Sequence, residues 1–491
     1  MFRSPPLRPS SSPARPALRR RHALAAVVAS CLPLTASVAA AGAAPASPVQ
    51  GAPVTADAAF ASLSASVHDR YEAGYTPSIA AAVVSADDPR PRVIAFGRTG
   101  RQPVTGGTTF EIGSITKTFT ATLLAEMVGR GEVQLSDPVR TLLPAGTVVP
   151  AFEGREITLE DLAEHRSGLP REATDLFGGG PVPASIGKVA KAYAAYSPAR
   201  MLAFLSTYRL TRAPGAAYEY SNLGEGLLGY ALSVRAGRPW EQLLRERVLG
   251  PLGIPGIGTE ATPLATPHDV DGHRMPNADL GAMEPAGGLR ASVVDLAAYA
   301  RANLLAAGDT STGALADAMR LAMASRTDTE AGMRIGLNWI TGGQLTERLI
   351  QHDGGTFGSS AYLAIDPAAK LAVVVLSASS DGVSELGAQA LSPGVPLRSY
   401  PTERRARPAQ LAGYTGRYDL GGGEVATLTV ERGRLVAHIP GAAPIVLRWL
   451  GGDRFFSRIG LEVSFRRDHA GRVISLTSSD GSEPTTAKRL R

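Results

Sequence analysis

Residues Thr108–Val139 read TTFEIGSITKTFTATLLAEMVGRGEVQLSDPV, and the rest of the chain is organised around them. A short extended run, Thr109–Ile112, passes through Gly113 into a long periodic helix. Ile115, Phe119, Leu123 and Met127 form one apolar stripe, and Ala121, Leu124 and Val128 form another. A helix that is apolar around most of its circumference is a buried, central one. Ser114 and Lys117 fall three apart at its first turn and so share a face.

A serine hydroxyl is a weak nucleophile until something takes its proton. A lysine in a dry site can take it, because burial moves the lysine pKa down towards neutrality. The helix start adds unpaired N–H groups and a positive dipole end, which favour negative charge developing nearby. The S-x-x-K spacing is cheap, however. It recurs at Ser185-Ile186-Gly187-Lys188, in a Gly/Pro-rich stretch expected to open no strong helix. Residue choice adds weight to the first match. The chain carries five lysines against 45 arginines, and one of the five stands here. Arginine cannot give up its proton at neutral pH, whereas lysine can. From this stretch alone, Ser114 as a helix cap and Lys117 as a surface residue is the competing reading.

The whole chain has 491 residues, enough for one large domain or two with an ample core. It is 44% hydrophobic and 19% charged, an ordinary globular composition. The formal charge of +6 comes from the first 50 residues, which hold six arginines and no acid. Without them the chain is neutral, so no nucleic-acid or other polyanion partner is implied. Residues 1–41 read as an export signal: Arg19-Arg20-Arg21-His22, an apolar run over Ala23–Val38, then small residues suited to cleavage. A periplasmic or secreted protein is expected. Val28-Ala29-Ser30-Cys31 also resembles a lipoprotein signal, and only lipidation at Cys31 would attach the protein to a membrane. Simple cleavage removes this sole cysteine and leaves no disulfide or thiol chemistry.

In chain order, Ala58–Tyr71 reads as a helix, and Ser78–Ser85 and Arg92–Gly97 as strands around Asp87-Asp88-Pro89. The central helix follows. Ile157–Ala163 is a short helix, Leu176–Ser197 a long loop carrying a short one, and helices dominate to about Ala307. These include Pro198–Thr207, Gly224–Arg235, Trp240–Leu249 and Ser292–Ala306, the last capped by Ser292. Strands return at Glu347–His352, Ala361–Ile365 and Leu371–Ser377. Early and late strands with helices between them predict one mainly antiparallel sheet closed by distant parts of the chain. Residues 57–391 thus form the main domain. Residues 392–408 (SPGVPLRSYPTERRARP) carry a linker signature. Residues 409–491, with short alternating strands between Gly and Asp turns, form a small all-β, barrel-like module.

Two more motifs carry chemistry. Tyr220 and Asn222, in Tyr218-Glu219-Tyr220-Ser221-Asn222, lie two apart on an extended segment just before a helix. A tyrosine beside a cation can act as acid or base, and the asparagine amide can hold a substrate carbonyl or Lys117. His352-Asp353-Gly354-Gly355 ends a strand. A cation there can steer an anionic substrate and protonate a leaving group, and glycines let a substrate backbone pair as an added strand. His438 and His469 in the β module read as ordinary surface or half-buried histidines.

Nucleophile at a helix start, Y-x-N in the helical middle and H-x-G on a late strand occur in that order. So arranged, the chain resembles the class C β-lactamase and DD-peptidase family of penicillin-recognising serine hydrolases, in which S-x-x-K carries the nucleophile. The blocks that carry the resemblance are the opening stretch, LAEHRSGLPRE, APGAAYEYSNLGEGLLGYAL, EPAGGLRASVVDLAAYA and HDGGTFGSSAYLAIDP, across about residues 57–385. Leu169-Pro170-Arg171-Glu172 resembles members named D-alanyl-D-alanine carboxypeptidase/endopeptidase, and the β module resembles a lipocalin-like tail of some members. The resemblance implies an α/β (α+β) β-lactamase/transpeptidase-like fold, with an antiparallel sheet, flanking helices and a helical subdomain. It implies Ser114 as acylated nucleophile, Lys117 and Tyr220 as proton shuttles, and Asn222, His352, Gly354 and Gly355 as substrate-binding residues. The N–H groups of Ser114 and Gly355 would form the oxyanion hole. It implies no cofactor and no metal, and a peptidoglycan peptide, β-lactam or ester as substrate. The chain departs from class C β-lactamases where K-T-G is usual, with His352 first and Gly355 after the motif glycine. No G-x-S-x-G elbow or H-E-x-x-H is present, and Gly107 and Gly113 enclose five residues where a P-loop needs four. The alternatives are a class C-type β-lactamase or carboxylesterase of the same fold, and a penicillin- or peptide-binding sensor that does not turn over.

Overall fold

A computed structural model describes residues 54–490 except 184, 330, 331, 344–347, 441, 443 and 481–483. The export signal, Cys31 and the expected strand start at Glu347 lie outside the described residues. Among the described residues, one sheet contains nine strands. From edge to edge these are Gln102–Pro103, Arg92–Thr99, Ser78–Ser85, Leu371–Ser377, Ser360–Asp366, Ile350–Gly355, Ile340–Gly342, Met333–Ile335 and Thr327–Asp328. All neighbouring pairs are antiparallel. The expected closure by distant chain segments is the pairing of Ile79 with Ser377 through Ser85 with Leu371.

The sheet is covered on both faces, which is why its central strands read as nearly unbroken apolar runs. Alternate residues go to different cores. Ala80, Ala82, Val84, Leu363, Ile365, Val374 and Leu376 join the large core that contains the central helix. Ile79, Ala81, Val83, Tyr362, Ala364, Val373 and Val375 pack under helices Ala56–Glu72 and Ser384–Leu391.

The central helix is buried over Thr116–Met127. It begins two residues later than its sequence suggests. Gly113–Ile115 forms a 3-10 turn, and the α-helix spans Thr116–Gly129. Before it, Thr109–Glu111 pairs with Arg290–Ser292 in a separate two-stranded sheet. The second S-x-x-K opens the short helix expected within Leu176–Ser197. Ser185 is the N-cap of a nine-residue helix, Ile186–Ala194, because Val189 and Tyr193 supply a buried stripe despite the surrounding glycines and prolines. Helix Trp240–Leu244 continues as a π-helical turn over Arg245–Leu249.

Residues 392–407 form neither helix nor strand, yet they are tied down. Arg398 bonds Asp381, and Tyr400 accepts from buried Arg70, which also holds Asp381 and Glu385. Eight strands from Gly416–Gly421 to Thr485–Arg489 then close into a barrel. The expected alternating segments form five of its strands. Gly416–Gly421, Arg454–Phe456 and Thr485–Arg489 complete it, with Gly421 and Gly451 at β-bulges that bend the short strands round. His438 pairs with Glu431 on this surface, and His469 is exposed. No helix among the described residues is long and apolar enough to cross a membrane.

Candidate active site

The turn Gly113–Ile115 holds Ser114 against the strand that carries the His352 motif. Gly113 has φ +50°, and a Cβ placed on it would lie 2.5 Å from Gly355 N. A Cβ on Gly354 would lie 2.0 Å from Ile112 O and 3.2 Å from Ser114 N. Only glycine permits so close a backbone approach, and at Gly113 it also suits the left-handed conformation. The backbones of Ser114 and Gly355 are thereby brought together. Strand Ile340–Gly342 pairs with the motif strand only at Gln351 and Ile350, so His352–Gly355 extends beyond that neighbour.

Lys117 is fully buried, and its Nζ lies 3.1 Å from Ser114 Oγ, 2.8 Å from Asn222 Oδ1 and 2.7 Å from Ala286 O. Burial lowers its pKa to about 7, a shift that Glu225 opposes and Arg171 reinforces. A neutral amine has two N–H donors and one lone pair. The two carbonyl oxygens take the donors, which leaves the lone pair for the Ser114 hydroxyl.

Tyr220 donates from its hydroxyl to Ser114 Oγ at 2.7 Å. Burial raises its pKa, so it stays a phenol at neutral pH. Tyr220 and Asn222 converge on Ser114 and Lys117 because Ser221 between them caps helix Asn222–Ala236. Its Oγ accepts from Gly224 N at 2.8 Å and donates to Pro170 O at 2.7 Å. The Asn222 amide is oriented from both ends, with Oδ1 on Lys117 and Nδ2 donating to Glu172 Oε1 at 2.6 Å.

Four groups at the site were not singled out from sequence. His165, at φ 56°, accepts from Ser221 N through Nδ1 at 3.2 Å, and its ring lies 4.3 Å from that of Tyr220. Burial holds its pKa well below the usual value, so the ring is neutral. Glu172 is half-buried, and desolvation of its carboxylate raises its pKa. Glu225 follows Asn222 by three residues on the same helix face; it accepts from Asn338 Nδ2 at 3.0 Å, and burial pushes its pKa up to about 8. The fourth is the Ala286 carbonyl. His165, Glu172 and Glu225 stand inside quoted blocks of the sequence, but their roles depend on contacts that spacing does not reveal.

His352 lies on the motif strand but is not the cation its position suggested. Its Nδ1 sits 2.6 Å from Asp353 O, an acceptor, so Nδ1 carries the proton and Nε2 is left as an acceptor. Burial, with the Lys117 charge, lowers the pKa to about 4. Thr356, just beyond Gly355, turns its hydroxyl to buried Glu111 rather than leaving it free. Among the described residues, no three His, Cys, Asp or Glu side chains group to hold a metal.

The family model described as Beta-lactamase matches residues 63–391. A D-alanyl-D-alanine-carboxypeptidase/endopeptidase, AmpH of Escherichia coli K12, is 36% identical over 143 residues, covering 29% of this chain and 34% of the relative. The match thus spans about a third of that relative's length. A β-lactamase of Pseudomonas fluorescens is 29% identical over 315 residues, covering 57% of this chain and 82% of the relative. The crystal structure of a β-lactamase/D-alanine carboxypeptidase from Yersinia pestis, complexed with citrate, superimposes with a TM-score of 0.55 at 24% identity. It covers 68% of this chain and 99% of that one, a likeness of fold. The chain belongs to the β-lactamase family of serine hydrolases.

Proposed function

We propose that the protein is an exported serine hydrolase that forms a covalent acyl-enzyme at Ser114 and acts on D-amino-acid-containing peptides of cell-wall type. The observation that carries this reading is the setting of Lys117: fully buried, with a pKa near 7, and spending its N–H donors on Asn222 and Ala286. In the proposed mechanism the Ser114 proton passes to Lys117 Nζ as Oγ attacks the substrate carbonyl. The N–H groups of Ser114 and Gly355 hold the oxyanion. Tyr220 begins as a phenol hydrogen-bonded to Oγ, and the proton held by Lys117 returns through it to the leaving nitrogen. Water then releases the acyl group. Asn222, held by Glu172, orients substrate and Lys117 together, and His352, Gly354 and Gly355 form the wall along which the substrate lies.

The peptide class rests on the Leu169-Pro170-Arg171-Glu172 block and on the AmpH relative, whose name is D-alanyl-D-alanine-carboxypeptidase/endopeptidase. Export rests on residues 1–41. The test is multiple turnover of nitrocefin, a p-nitrophenyl ester and a D-Ala-D-Ala peptide. The expected result is steady turnover with the highest kcat/KM on the peptide. A higher value on nitrocefin or the ester would make the protein a β-lactamase or esterase of the same fold. One stoichiometric burst without turnover on all three would make it a sensor.

A further inference from the structure

A loop held by the C-terminal barrel runs on to the candidate active site. Residues 267–275 fold into a small hairpin in which Met275 N bonds Pro267 O at 2.9 Å and Asp269 N bonds His273 O at 2.9 Å. Its tip is stiffened by the Asp269 carboxylate, which accepts from Asp271 N at 2.9 Å and His273 N at 2.8 Å. Two barrel arginines grip this tip. Arg448 is buried and donates to Asp271 Oδ1 at 2.6 Å and to Glu403 Oε2 at 2.9 Å. Arg458 donates to Val270 O at 3.2 Å, with its guanidinium over the Tyr75 ring at 4.5 Å.

The base of the same hairpin holds the turn that follows the third motif. His268 N donates to Gly358 O at 2.9 Å, and His268 O accepts from Ser380 N at 3.0 Å. The fit leaves no slack, since a Cβ on Gly358 would lie 2.7 Å from His268 N and 2.8 Å from Met275 Cβ. Three residues beyond the hairpin, Ala278 N donates to Glu111 Oε1 at 2.8 Å, and the other oxygen of Glu111 accepts from Thr356. Gly358 and Thr356 lie three residues and one residue past Gly355, whose backbone abuts Gly113, while Gly354 beside it abuts Ile112 and Ser114.

We propose that Arg448 is a positioning residue for the hydrolase. The barrel clamps hairpin 267–275, and the hairpin sets the 356–359 turn and the placement of Gly355 opposite Ser114. This rests on the acyl-enzyme reading and adds a role for the barrel that it does not contain. A sub-ångström error in that placement weakens stabilisation of the transition state more than binding of the ground state. The signature is therefore a fall in kcat with KM little changed, even on a small ester.

The test uses the full chain with Arg448→Asp, Asp271→Arg, the double exchange, Asp271→Asn and, as a control, exposed Arg466→Gln. Labelling of wild type by a fluorophosphonate, lost in Ser114→Ala, checks the underlying reading separately. The expected result is a roughly tenfold or larger loss of kcat on a p-nitrophenyl ester for each single charge reversal. Asp271→Asn should lose less, the double exchange should recover to within about threefold of wild type, and Arg466→Gln should be unaffected. Asp271→Asn keeps the test open if a reversal fails to fold. Normal kcat in folded Asp271→Asn and Asp271→Arg would overturn the proposal. So would a loss confined to KM, or a folded double exchange no better than the single variants.

Discussion

Ser114-Ile115-Thr116-Lys117 and Ser185-Ile186-Gly187-Lys188 are the same motif twice in one chain, down to the isoleucine after the serine. Both pairs stand where a helix begins. In the first, Lys117 is buried and touches Ser114, Asn222 and Ala286. In the second, Ser185 and Lys188 are both exposed, and Ser185 makes no side-chain cap bond. The chemistry therefore does not lie in the spacing. Desolvation changes the proton affinity of the amine, and acceptors from two other segments aim its lone pair.

The largest effect that sharpens this contrast is expected for Ser114→Ala, which should abolish the single adduct seen by intact-mass measurement with a fluorophosphonate or fluorescent penicillin. An adduct that persists would move the nucleophile elsewhere. Next comes Lys117→Arg, which keeps a cation but has no lone pair to offer. Acylation should fall by about 10³-fold, within the range for a lost general base. In wild type the base form appears as pH rises through the Lys117 pKa, so the acylation rate should climb to a plateau with a midpoint near 7. A flat profile from pH 5.5 to 8.5 would contradict the neutral-amine assignment.

A finer probe is Asn222→Asp. A carboxylate beside Lys117 favours the ammonium, so the midpoint should shift to higher pH by about one unit or more. A shift to lower pH would mean that the amide does not face the amine as described. His352→Gln should cost about tenfold or less on a neutral ester and leave the midpoint unmoved, since burial holds the ring's pKa at about 4, well below that midpoint. Loss of a titrating limb between pH 5 and 8 in this variant would restore the cationic role that the sequence suggested. The smallest effects belong to the second motif. Ser185→Ala and Lys188→Ala should leave acylation unchanged and stability within about 0.5 kcal/mol, as for exposed positions without special contacts.

Periodicity and residue type were enough to predict a buried central helix, an antiparallel sheet joined from both ends of the main domain, and a small β module. Each depends on a local pattern: apolar residues around most of a helix, continuous apolar strands, or alternation between glycine turns. The order Ser114, Tyr220, His352 also named the elements that meet at the site. Long-range packing decided the rest. Nothing local to Lys117 specifies the Ala286 carbonyl 169 residues away, or the burial that brings its pKa to about 7. Nothing in His-Asp-Gly-Gly tells that His352 gives its ring proton to Asp353 O and faces the site neutral. Residues 392–408 read as a linker because proline and arginine are common in linkers, whereas buried Arg70 and Asp381 hold that segment in place. Sequence sets which groups are present and in what order. Charge state and aim depend on which distant atoms exclude water and accept hydrogen bonds, and only the folded chain brings those together.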